Sequence, residues 1–101
     1  MPPERNIGKR VEIERLRHDI DEIDDKLLNL IAQRRDVAMS IARLKTELQD
    51  SVDHEGRVKV ILELIEKKAN SKGLQGKEVR ELWKAIIKYM ILEQTEEYPY
   101  F

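Results

Sequence analysis

Two cations stand where a helix of this pattern would carry leucine or valine. Stepping by threes and fours through Leu27, Leu30, Ile31, Arg34, Ala38, Ile41, Lys45 and Leu48 places Arg34 and Lys45 on the apolar row. Arg and Lys are almost never fully buried without a counter-charge, and no acid lies on that row within a turn of either. One reading gives them an anionic ligand as partner. The other has both side chains run along the edge of the stripe with their charged ends in water. They are eleven positions apart, close to three turns and roughly 16 Å of axis, so two long side chains reaching inward would bracket a ligand about 8 Å long. That spacing suits a small dicarboxylate.

Three further polar residues share this placement. Arg17 adjoins Leu16 and Ile20, seventeen positions before Arg34, or roughly 25 Å along a helix. That is too far for both to grip one small molecule from the same chain, so an Arg17 that serves the same site comes from a second subunit. Arg57 begins the row Arg57, Val60, Ile61, Leu64, Ile65 and Lys68, where it either points inward or, near a helix start, is solvated. Gln94 ends the row Val79, Leu82, Trp83, Ile86, Ile87, Met90 and Ile91; taken alone it reads as a glutamine at a frayed helix end. Trp83 reads as core.

The elements that must position these residues are helices. Val11 to Leu48 contains neither proline nor glycine and repeats its apolar residues at helical spacing, which predicts one unbroken amphipathic helix. Its length would be on the order of 55 Å, whereas a compact chain of this size has a radius of gyration near 13 Å. The rest of one chain cannot cover such a stripe, so a second copy is expected to do so. Gln49 to Asp53 supplies turn residues, with Ser51 or Asp53 capping a second, shorter helix. Asn70 to Gly76 connects it to a third, which Pro99 closes. The expected fold is all-α: three helices, one very long and two shorter, in an intertwined homodimer. Residues 1–8, with Pro2, Pro3 and Gly8, read as a flexible lead-in to a single domain over 9–101.

Composition narrows the function classes. Of the 101 residues 39% are charged, yet the net charge is -1 with both signs interleaved, so no basic field is offered to nucleic acid or an anionic membrane. Cysteine is absent, and His18 and His54 lack a ligand cluster, so no metal is expected. No apolar run reaches the roughly 20 residues of a membrane span or has the form of a signal peptide. A cytoplasmic protein is expected.

With these five residues in view, the segment LRHDIDEIDDKLLNLIAQRR, followed eleven residues after Arg34 by Lys45, closely resembles the all-helical chorismate mutases of the AroQ class. The likeness covers roughly Leu16 to Gln94, and 9–101 then reads as a chorismate mutase type II domain. It implies a Claisen rearrangement of chorismate to prephenate, a step of the shikimate pathway toward phenylalanine and tyrosine. Such a reaction needs no nucleophile, general base, metal or cofactor. By resemblance Lys45 and Gln94 are the catalytic donors to the ether oxygen. Arg34 and Arg57 bind substrate, and Arg17 enters the site from the other subunit of the homodimer.

The chain departs from the family pattern at two points. An acidic residue that accepts from the ring hydroxyl usually follows the second-helix arginine, but here Val58 follows Arg57. Asp53 and Glu55 are the nearby acids among the candidate substrate-binding residues; alternatively the loop register shifts by one, and Gly56-Arg57 fall on the Arg-acid pair. Met90 stands where many members carry a small hydroxyl residue. The Arg57-Val58 pair, together with Tyr89 and Glu93-Gln94, is also similar to the isochorismate pyruvate-lyases of salicylate formation. A third reading is a non-enzymatic helical module that uses the stripe only to dimerise.

Overall fold

The computed structural model describes residues 3–49 and 54–99, and among them every regular element is a helix: α1 at Pro3–Leu48, α2 at His54–Ser71 and α3 at Gly76–Glu97. The chain divides into two units, Met1–Arg35 and Asp36–Phe101. In this respect the all-α reading with one very long and two shorter helices holds.

The helix α1 begins at Pro3, well before the Val11 at which the sequence pattern becomes periodic, so most of the expected lead-in is helical. A proline at the first helical position loses no hydrogen bond and has its φ preset. In the first unit this helix is stabilised along its surface. Arg15 pairs with Glu12 and, at 3.6 Å, with Asp19, and Arg17 pairs with Glu14 at 2.6 Å. Such pairs three and four apart each contribute a few tenths of a kcal/mol to a helix. The Arg15 guanidinium holds the Glu12 carboxyl below the usual carboxylate range. The apolar stripe of this unit lies bare: Ile13, Leu16, Ile20, Ile23, Leu27 and Leu30 are all exposed, Ile20 to 57%.

The second unit holds the core. Its buried apolar residues are Ala42 of α1, Leu62 and Ala69 of α2, and Ile87 and Met90 of α3. Here the single apolar row expected on α1 separates into two. Ala42 is buried and Ala38 and Lys45 half-buried, whereas Val37, Ile41, Leu44 and Leu48 are exposed. Within the second unit the covered row of α1 is the one that carries small residues, and at Ala38 it is met by the side chain of Gln94. Gln49, with φ of 54°, follows the end of α1.

The α2–α3 corner is tightly specified. Leu74 N–H donates to Ala69 O at 3.0 Å and Gly73 N–H to Asn70 O at 3.1 Å, with Gly73 at φ of 80°. This is the bond pattern of a helix stopped by a left-handed glycine. The Asn70 side chain then accepts from Gly76 N–H at 2.9 Å, satisfying one of the free donors at the start of α3. Gly76 is the first residue of that helix rather than part of the connection. A Cβ there would lie 2.5 Å from both Glu66 O and Asn70 Oδ1. Because a helix carbonyl cannot swing aside, Gly76→Ala is expected to destabilise the protein by about 1–3 kcal/mol, seen as a lower melting temperature by circular dichroism. Arg80 and Glu66, 3.9 Å apart, continue the same antiparallel register.

Candidate active site

In the second unit the most informative functional side chain is Gln94. The row Ile87, Met90 and Gln94 follows one face of α3, and all three are buried, Gln94 to 7% exposure. Its Nε2 donates to Ala38 O on α1 at 2.8 Å. Gln94 is therefore not an end-fraying residue, although α3 stops only three positions later. The helix does not release it because its amide is held by another element.

Lys45 stands seven positions beyond Ala38, two turns and about 10 Å along α1 and on the same face. It is half-buried, next to buried Ala42 on that face. The second unit thus puts Gln94 Nε2 on the covered side of α3 and half-buried Lys45 on the same face of α1 as Ala38, the acceptor of that amide.

Arg57 and Glu55 lie in the first turns of α2 and are exposed, so the inward orientation offered by the apolar row is not adopted by Arg57 in the isolated chain. Near a helix start a long side chain reaches solvent at little cost. Val58 is half-buried and provides no side-chain acceptor. Met90, 2% exposed, is a core residue one turn from Gln94. Asp53 and the cap proposed for Ser51 or Asp53 lie outside the described residues.

In the first unit Arg34 is half-buried and Arg17 exposed. Both lie on α1, and their separation of seventeen positions keeps them roughly 25 Å apart on one helix. Arg17 borders a shallow depression formed with Glu14, His18, Ile20 and Asp21. Among the described residues no group of three or more His, Cys, Asp or Glu side chains is assembled as a metal site requires. Among the described residues no helix is long and apolar enough to cross a membrane.

Two contacts escaped sequence reasoning. The Ala38 acceptor is a backbone carbonyl and leaves no residue-type signature. The bond from Tyr89 OH to Glu93 Oε1, 2.7 Å, spans four positions of one helix and was open to that inference.

Comparison with known proteins bears on the same residues. The family model for chorismate mutase type II matches residues 16–95. A chorismate mutase from Methanocaldococcus jannaschii is 40% identical over 52 residues, covering 52% of this chain and 52% of that protein, so the chain spans about half the length of this curated relative in the match. No solved structure matches at a significant level. The family match runs from the residue before Arg17 to the residue after Gln94, and the chain belongs to the chorismate mutase type II family.

Proposed function

We propose that the protein is a chorismate mutase, an isomerase that converts chorismate to prephenate. The observation that carries this reading is the buried, anchored Gln94 in the same unit as half-buried Lys45, within a chain of this family. A unimolecular rearrangement of a flexible dianion is accelerated in two ways. The substrate is held in its folded, reactive conformer, and donors are fixed where negative charge grows on the breaking ether oxygen. In this proposal Lys45 and Gln94 are those donors, while Arg34 and Arg57 bind the carboxylates. Glu55 or Asp53 accepts from the ring hydroxyl. No cofactor is required by this chemistry.

The working form is an intertwined homodimer in which Arg17 reaches the site of the partner subunit. Three observations support it: the bare stripe from Ile13 to Leu30, the distance between Arg17 and Arg34 on one helix, and the exposure of Arg17 and Arg57 in a lone chain. A second copy is the occupant whose apolar face matches that stripe by construction. A cytoplasmic location goes with a substrate of this kind.

One observation favours a second reaction. Val58 offers no acceptor for the ring hydroxyl, and a pocket with the same cations and no acid there suits elimination of pyruvate from isochorismate. Incubation with each substrate separately decides between them. Prephenate from chorismate is the expected product; salicylate plus pyruvate from isochorismate, without prephenate from chorismate, would establish the lyase. A module that only dimerises would leave both substrates unchanged, and its melting temperature would not rise with a chorismate-like dicarboxylate. A ligand at about a hundred times its Kd stabilises a protein that binds it by about 2.7 kcal/mol.

A further inference from the structure

We infer that the backbone carbonyl of Ala38 is a positioning group for Gln94: by accepting from Nε2 it fixes which end of the amide is anchored and leaves the second hydrogen on the same nitrogen as a directed donor. A primary amide presents a nitrogen with two donors and an oxygen that only accepts, and the two ends are nearly equal in shape. Left to rotate, it would offer its oxygen to an electron-rich partner half the time. The Ala38 carbonyl is itself acceptor-only and lies 2.8 Å away, so the oxygen end of the amide cannot occupy that place without repulsion. Burial to 7% exposure removes the water that would otherwise satisfy either orientation. Among the described residues the amide takes no other hydrogen bond. Its second N–H is therefore uncommitted there, while its first holds the orientation. In an α-helix Ala38 O also serves the residue four positions on, and a carbonyl has two lone pairs for the two donors.

The consequence for turnover rests on the proposed reaction, but the anchor itself is tested without substrate. In Gln94→Glu the introduced group meets Ala38 O as a donor only when protonated. Its carboxyl is then held above the roughly 4.3 of an unfolded glutamate. Stability attached to the neutral form is complete below that unfolded value and is lost as pH rises through the higher folded value. Between about pH 4.5 and about pH 8 the melting temperature of the variant should fall relative to that of the parent by about 5 °C or more. Charged groups on the adjoining turns are Arg34, Arg35, Asp36 and Lys45 on α1, Glu93 and Glu97 on α3, and Glu55 and Arg57 at the start of α2, the end that the antiparallel register sets against this part of α3. They are common to both proteins, so the difference between the curves reports the new carboxyl. Parallel curves overturn the inference. Should the variant fail to fold, the parent provides the measurement: one Nε2 proton of Gln94 is expected to exchange with solvent about tenfold more slowly than the other, and equal rates overturn it.

With chorismate, kcat of Gln94→Glu should fall about tenfold or more over the same pH span, with KM moving less and the parent profile flat by comparison. The two levels separate cleanly. A titration seen in the melts of Gln94→Glu, when the parent rearranges no chorismate, sinks the reaction and leaves the anchor. Parallel melts of the variant and an active parent sink the anchor and leave the reaction.

Discussion

Lys45→Ala is expected to lower kcat for the rearrangement of chorismate about a hundredfold or more, while the protein stays folded. Lys45 is half-buried beside Ala42 on the covered face of α1, and its charge is worth most where water is thin and the acceptor gains negative charge in the transition state. Removing one donor of that kind costs on the order of 3 kcal/mol of transition-state stabilisation, which is the hundredfold quoted. The same truncation removes a cation from a partly apolar surface, so the fold is not expected to suffer comparably. Lys45→Leu sharpens the contrast, since replacing a partly buried charge by an apolar group is often neutral or stabilising. A melting temperature at or above that of the parent, with kcat reduced as in Lys45→Ala, is the expected pair of readings. Full activity in either variant would remove Lys45 from the chemistry.

The second large effect is a recovery of activity on mixing two inactive proteins. If Arg17 acts on the partner's site, Arg17→Ala and Lys45→Ala each disable both sites of their own homodimer. In a mixed dimer one site then combines an intact Lys45 with an intact Arg17. Random exchange of equal amounts makes half of all dimers mixed, each with one good site of two, so activity should return to about a quarter of the parent level. Action of Arg17 within its own chain predicts no recovery. The experiment presupposes a dimer, whose mass is twice the 12.0 kDa of one chain, and a parent sedimenting as a monomer at micromolar concentration would end this proposal before mixing. The size of the Arg17→Ala defect also bears on Glu14. Arg17 now pairs with Glu14 at 2.6 Å on an exposed surface, where such pairs are worth about 0–1 kcal/mol, so in this proposal a substrate carboxylate would displace Glu14 at little cost.

Much of the architecture was legible from residue order because helices obey local rules. The absence of Pro and Gly between Val11 and Leu48 and the return of apolar residues every three or four positions marked α1 from Val11 to its end at Leu48, while its start at Pro3 lay outside that pattern. Gly73 marked the α2–α3 corner because its φ of 80° is one that residues with a Cβ avoid. Gly76 was placed one step wrong. It is small because Glu66 O and Asn70 approach it, and the approach of another helix turn is not written in local sequence.

The candidate site divides in the same way. Chain order alone determined which residue types lie on which helical rows, and hence that Lys45 and Gln94 share rows with apolar neighbours. Periodicity is a property of the backbone, and it survives without any knowledge of packing. Tertiary structure decided what those rows meet: Ala38 and Ala42 turn inward while Ile41 and Leu44 stay bare, Gln94 is held by Ala38 O, and Arg57 lies outside. Burial and hydrogen-bond partners depend on which surfaces touch across long stretches of chain. A backbone carbonyl, identical at every position, becomes a specific acceptor only when folding brings one amide against it.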